Sequence, residues 1–398
     1  MKRRFLCLIT IPIAACVAYR PQPVELAAVA DEVDARTVQA LDFASAVVYA
    51  RANSPELKSL AAQARAAGFD VPPITVVAGT NLSGDHGAIT TDPVALLKLG
   101  PRGAAAKLAD ARQAEILTAL AQEERRIGAA VAEAFLVERT LRGLHVPHID
   151  VNAASFHAAG LASDVDRDRV RAARLGETAE KRAIEAEREA NFARLRALLG
   201  LGSGARLELV LPEGAFPALP EPTRRNLLQR PDLAVALARY KTADAALKKA
   251  VADQYPSIVI GGTLEFDGTH FGGVGAIRVP LGAGKPARAA IERREAARLQ
   301  VEAVLLQAQQ EAGERAAEYD AAQARAAATA SAAQVTASAL RSSLVRLEVT
   351  PDAFHDAAQN ANKAVFAAGL AREAAVQEAR ARVGLASAYG WPFPEEIR

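Results

Sequence analysis

The segment from about Pro286 to Arg346 constrains this chain more than any other. It is rich in alanine, studded with Glu, Arg and Gln, and spaced throughout as a helix. At 1.5 Å per residue it would extend roughly 90 Å. Helices of globular domains average about 11 or 12 residues, so a helix of this length predicts a coiled coil or a helical tube. Its large apolar positions, among them Ile291, Leu299, Val304, Leu305, Val335, Leu340 and Leu344, are separated by many alanines. The whole chain shares this bias: 51% of residues are hydrophobic but only 5% are aromatic, because alanine supplies much of the apolar content. Such a composition suits long helices in close contact better than a globular core.

A second constraint is an internal duplication. Pro55, Glu56 and Leu57 open one Ala-rich helix, and Pro231, Asp232 and Leu233 open another. Proline in the first turn loses no hydrogen bond, and an acid there suits the helix dipole. Each helix is followed by a proline and an alternating apolar run, "PPITVVAGTNL" and "YPSIVIGGTLEF". A turn and a second apolar run come next, "DPVALLKLG" and "GAIRVPLG", then a long helix, a break and a returning helix. The first long helix should break or kink near Gly143 and Pro147. Gly200 and Gly384 are the expected C-caps of the returning helices. Matched landmarks lie about 180 residues apart, far beyond the period of a solenoid repeat. The predicted organisation is a leader at 1–15 and two structural repeats at 16–218 and 219–398. Each repeat is a helix, a β-hairpin and a long helical hairpin.

The hairpin of the second half shows period-two alternation. Ile258, Ile260, Leu264 and Phe266 fall on one face, and Thr263 and Glu265 on the other. In the partner strand Ile277 and Val279 alternate with Ala276 and Arg278. Apolar residues towards lipid and polar residues towards a watery lumen are the pattern of a transmembrane barrel, whose strands need about ten residues. The lipid set is then Ile258, Ile260, Leu264 and Phe266, and the lumen set Thr263, Glu265 and Arg278. Two hairpins give only four strands, which cannot close, and hydrocarbon does not tolerate open edges. The chain must oligomerise, or else carry a small sheet packed on helices in water.

The N-terminus reads as an export leader: "MKRR" is basic and "FLCLITIPIAA" is a short apolar run. Cys16 ends that run in the order Ile13, Ala14, Ala15, Cys16, the pattern of a lipidated bacterial leader. The alternative is an ordinary leader with an incidental cysteine. The other cysteine is Cys7, so the mature body forms no internal disulfide. A formal charge of +2, without a basic stripe interleaved with aromatics, argues against nucleic acid as a partner.

On these residues the chain resembles the TolC family of outer-membrane efflux factors, over about Leu41 to Ala388. The most specific stretch is "QRPDLAVALARYKTADAALKKAVADQYPSIVIGGT", similar to the family's Arg-Pro-acid-Leu helix leading into a strand. "VPLGAGKPARAAIERREAA" resembles its second strand and the start of its long helix, and "CVAYRP" resembles the start of lipidated members. "AAGLASDVDRDRV" resembles the first periplasmic tip. The resemblance implies a homotrimer in which each chain gives four strands to a twelve-stranded transmembrane β-barrel and two helical hairpins to a coiled-coil tunnel. It implies partners as well: outer-membrane lipid, a periplasmic adaptor and an inner-membrane pump. The channel would be a passive conduit for small molecules, either drugs or metal ions. Type I protein secretion and a non-conducting periplasmic scaffold lipoprotein are the alternatives.

The tip residues that the resemblance marks for adaptor docking are Gly160, Leu161, Ser163 and Asp164 in the first tip, with Leu347 and Thr350 in the second. Leu347 stands where the family has a glycine. A tight turn needs glycine, and Ser or Asp caps a returning helix, so capping alone also accounts for the first four. Asp352 and Asp356 are candidates for an acidic ring at the tunnel entrance, which threefold symmetry would triplicate; solvated helix-face charge is the simpler reading. The hairpins are poor in the aromatics that mark barrel girdles, and Lys98 lies close to the first. His145, His148 and His157 gather near the first tip without the cysteines or paired carboxylates of a metal site. "GAGKP" lacks the upstream glycine and the Ser or Thr of a phosphate loop. No cofactor site and no catalytic constellation is expected.

Overall fold

The computed structural model describes residues 24–38, 40–68, 77–80, 86–91, 100–211, 223–255, 257–265, 271–278, 284–350 and 353–390. Cys16, Lys98, Phe266 and Asp352 lie outside them, as does the leader.

The described helices are α1 (Leu26–Asp34), α2 (Phe43–Asn53), α3 (Pro55–Gly68), α4 (Gly100–Gly143), α5 (Ala153–Ala158), α6 (Asp164–Leu199), α7 (Arg224–Leu228), α8 (Pro231–Ala252), α9 (Gly284–Val349) and α10 (Phe354–Ala388). The strands are β1 (Val77–Thr80), β2 (His86–Thr91), β3 (Ser257–Glu265) and β4 (Phe271–Arg278). Both α3 and α8 begin at the prolines that mark them in the sequence, each with an acid in its first turn. Ser54 precedes Pro55, and its hydroxyl accepts from the Leu57 amide at 3.3 Å. The 66 residues of α9 span about 100 Å. None of the described helices is long and apolar enough to cross a membrane.

Alanine builds the helical part. α10 runs along α9 and also packs on α6 and α4, while α8 lies against α4 and α9. The buried face of α10 carries Ala357, Ala358, Ala361, Ala364, Ala374, Ala379 and Ala386; the first four cluster with Leu340 of α9, whereas Ala308 and Ala312 of α9 pack on Leu227 of α7. Alanine loses no side-chain entropy on burial, so a seam this long forms without large residues. Ser343 is fully buried in the same seam, and its hydroxyl is satisfied by the Leu340 carbonyl at 2.8 Å.

Larger residues gather at two levels. One cluster joins α2, α4, the end of α6 and α10 through Phe43, Val131, Phe135, Leu195, Leu199 and Val376. The rings of Phe43 and Phe135 meet edge-on at 5.6 Å. A parallel bridge between Leu41 and Leu209 ties the intervening chain to this level. Inside it Glu138 is fully buried. It accepts from Arg142 Nε at 2.7 Å and from Arg188 Nη2 at 2.7 Å and Nε at 3.1 Å. The second cluster closes the far ends of the helical hairpins.

The strands form one antiparallel sheet in the order β1-β2-β3-β4, so the two hairpins pair with each other through β2 and β3. Ser257 pairs with Arg278, Ile258 with Ile277 and Thr263 with Gly272. The register therefore keeps the two alternating sets read from the sequence apart. β1 and β4 are the edges of this sheet within the chain.

Two expectations need correction. Gly384 is not a C-cap: α10 continues to Ala388, and Gly390, at φ +65°, takes the left-handed position after it. The Arg315 side chain of α9 lies beside the Gly384 position, where α10 is packed along α9. Next, the second strand of the first hairpin is His86–Thr91, whose ladder with Ile260–Glu265 fixes it upstream of the "DPVALLKLG" run; most of that run lies outside the described residues. The described stretches of the strands are 4, 6, 9 and 8 residues long, and the residues that flank them lie outside the described set.

Candidate functional site

The ends of the two helical hairpins meet to form a tip. The first of them is built as a helix stop followed by a helix start. After α5 the chain turns through Gly160 at φ +72°, with the Gly160 amide on the His157 carbonyl and the Leu161 amide on the Phe156 carbonyl, both at 2.9 Å. This is a Schellman motif, which needs a residue tolerant of the left-handed region. Ser163 then caps α6: its hydroxyl accepts from the Asp166 amide at 3.1 Å and donates to Asp166 Oδ2 at 2.6 Å. The one hydroxyl thus serves as the helix cap and also ties down the Asp166 carboxylate. Leu161 and Asp164 are exposed, so the first tip presents an apolar and an acidic side chain to solvent.

The second tip is the turn between α9 and α10. Thr350 and Asp356 are exposed on it. Leu347 is a correction: it sits inside α9, buried against the cluster of Val151, Val170 and Phe354. An internal packing residue occupies the position, so Leu347 offers no surface for docking. The Phe156 and Phe354 rings, 5.1 Å apart, join the two tips.

Charged side chains reinforce the junction. Asp166 is nearly buried, and its Oδ1 lies 2.8 Å from His355 Nδ1 on α10 and 3.0 Å from Arg169 Nη1. Burial pushes the Asp166 carboxyl up, but the Ser163 hydroxyl, His355 and Arg169 outweigh it and hold the carboxyl below its usual range. Glu177 behaves alike: burial raises it, while His148, Lys181 and the Ile149 amide bring it down to about 2. Further along, Arg372 of α10 reaches Glu180 at 2.6 Å and Glu187 at 2.7 Å on α6. Asn362 Nδ2 donates to the Arg169 carbonyl at 3.0 Å.

The sequence picked out Gly160, Leu161, Ser163 and Asp164, and the structure brings them together in one turn. It missed Asp166 and His355, which lie 189 positions apart. Spacing within one helix carries no signal for such a pair. Two of the three histidines weighed for metal binding have carboxylate partners: His148 sits on Glu177 and His157 on Asp164. Among the described residues no group of three or more His, Cys, Asp or Glu is placed to hold a metal ion.

No family model and no curated relative matches the chain. Solved structures do. The outer-membrane channel OprN superposes with a TM-score of 0.68 at 17% identity, over 88% of this chain and 90% of that one. The open-state MtrE outer-membrane channel of Neisseria gonorrhoeae gives 0.69 at 16% identity, over 89% and 90%. The outer-membrane protein VceC of Vibrio cholerae gives 0.64 at 18% identity, over 88% and 97%. Long helices packed side by side, with one antiparallel sheet drawn from both halves, thus give this chain the fold of known outer-membrane channels.

Proposed function

We propose that the chain is the outer-membrane channel of a tripartite efflux system, a passive conduit for small molecules such as drugs or metal ions. The observation that carries this reading is the sheet. Its four strands leave β1 and β4 as open edges above long helical hairpins, and open edges in hydrocarbon require other copies to close them. Three copies would pair β4 of one chain with β1 of the next and close a barrel of twelve strands, with the helices below forming the tunnel. By their alternation Thr263, Glu265 and Arg278 would line the lumen, and Ile258, Ile260, Leu264 and Phe266 would face lipid. Cys16 would carry the lipid anchor. The tips would receive a periplasmic adaptor at Gly160, Leu161, Ser163, Asp164 and Thr350, and the adaptor would connect the channel to an inner-membrane pump. Asp352 and Asp356 would add acidic charge at the tunnel entrance. The repeats 16–218 and 219–398 would each supply one hairpin of strands and one of helices.

The test is planar-bilayer conductance of the purified protein, with gel mobility before and after heating. A heat-sensitive oligomer that conducts ions is expected. A monomer that stays in the soluble periplasmic fraction, or an oligomer without conductance, sinks the proposal; the latter result would identify a scaffold lipoprotein.

A further inference from the structure

Two long helices each carry a bare apolar stripe on the side away from their buried face. On α9 the stripe holds Ile291, Leu299, Leu306, Val335, Val345 and Val349, all exposed. At 3.6 residues per turn these six fall within a sector of about 80°. On α6 it holds Val165, Ala172, Leu175, Ala179, Ala186 and Ala193, also exposed and also within about 80°. The buried residues of α6, among them Val170, Ala173, Leu195 and Leu199, lie on the opposite side. α9 moreover runs from Ala326 to Leu340 without a charged residue. A helix face meant for water carries charge. We propose that the bare stripe of α9 docks, antiparallel, on the bare stripe of α6 in a second copy of this chain.

The two stripes lie on opposite flanks of the chain. α10 packs on both α6 and α9 and stands between them. One flank therefore offers α9 and the other α6, the head-to-tail arrangement that closes into a ring. The sheet has the same polarity. Its open edge β4 leads into α9, so a copy that completes the sheet at β4 stands on the α9 side.

Levels along the bundle decide whether the stripes match. Val365 of α10 packs over Gly176 of α6. Asn360, five residues earlier on α10, reaches the Ala339 carbonyl of α9 at 3.5 Å. α9 runs against α10, so Gly176 stands level with Gln334, five residues before Ala339. The proposal rests on the channel reading, in which copies are related by rotation about an axis along the helices, and such a rotation leaves levels unchanged. Counting from Gly176 and Gln334, Val165 faces Val345 of the second copy, Leu175 faces Val335, and Ala186 faces Ala324. Large residues thus meet large ones, and alanine meets alanine. Leu175 and Val335, 64% and 65% exposed in the single chain, are covered together.

Disulfide trapping tests the docking. Beyond Cys7 and Cys16 the chain has no cysteine, so added ones report alone. The full chain in detergent, carrying Leu175→Cys and Val335→Cys, is oxidised with copper phenanthroline and run on a denaturing gel without reductant. Two cysteines join only when their Cα atoms lie within about 7 Å. Most chains of this variant should run as covalently joined copies, while each single variant and the unsubstituted protein run as monomers. Leu175→Cys with Val345→Cys, about 15 Å out of register, should also stay unlinked. Independently, Leu175→Glu should lower the temperature at which the oligomer falls apart, and Val335→Lys in the same chain should restore it. A heat-sensitive oligomer in which the matched pair stays unlinked, or links no better than the shifted pair, overturns the docking and leaves the channel reading standing. Monomers before any heating overturn both.

Discussion

Replacing Glu138 tests how the helical bundle tolerates charge in its core. The carboxylate is fully buried and holds two guanidinium groups, Arg142 from its own helix and Arg188 from α6. The bonds from Arg188 keep that guanidinium charged and raise its affinity for its proton. Removing one partner of a fully buried pair costs about 3–5 kcal/mol, because it strands the other charge. Here the stranded groups are the arginines, whose side chains keep 42% and 37% of their exposure and so remain partly hydrated. The expected cost of Glu138→Ala is therefore nearer ~2–3 kcal/mol. With an unfolding entropy of about 2 cal/mol/K per residue, a chain of this size would melt about 3 °C lower. Helical circular dichroism against temperature reads this directly. The companion variant Glu138→Leu with Arg188→Met leaves only Arg142, which keeps its bond to the Leu209 carbonyl at 3.4 Å, and should recover part of the loss. An unchanged melting temperature in Glu138→Ala, or no recovery in the double variant, would refute the account of stranded charge.

Other predictions rest on single contacts. Glu177, lowered to about 2, contributes stability that is complete above its ordinary 4.5 and lost as pH falls through about 2. Melting between those values should show a loss of about 1–2 kcal/mol, discounted for its exposed partners; a Glu177→Gln variant with the same acid profile as wild type speaks against the assignment. Gly160→Ala meets open space but must hold φ +72°, so it should cost about 1 kcal/mol, and Gly160→Asn less; equal melting of both variants with wild type counts against the Schellman turn. Arg372→Met removes the α10 partner of Glu180 and leaves Glu187 with Arg380, at a cost of about 3 kcal/mol. Limited proteolysis should then open the lower halves of those helices first, and a wild-type cleavage pattern would show that the arginine does not join them.

The helices were legible wherever a local rule decides them. Pro55, Pro231 and the αL residue Gly200 mark helix ends because propensity and capping act within a few residues. Gly384 misled for the complementary reason: it has the same local chemistry, but α10 is held on α9 by tertiary contact and passes through it. The alternation of β3 was readable, whereas the placement of β2 was not, because its position is set by pairing with a strand far away in sequence. The same limit applies to the tip. Ser163 announced itself as a cap, but the partnership of Asp166 with His355 exists only once the two hairpins lie side by side. Leu347 read as a second-tip residue standing where the family has a glycine, and it packs inside α9, because the turn itself lies a few residues later.

The alanine face of α10 has a consequence for how this chain tolerates change over generations. Ala357, Ala358, Ala361 and Ala364 have no accessible surface left. Among the residues reachable from alanine by one base change, only glycine is smaller. Nearly every substitution at these positions therefore adds atoms where α9 and α10 already touch, and close-packed interiors resist added volume. A core of leucines can drift by losing a methyl group and regaining it elsewhere. This one can err in a single direction, so two long helices held by their smallest side chains leave little room for neutral variation along the line where they meet.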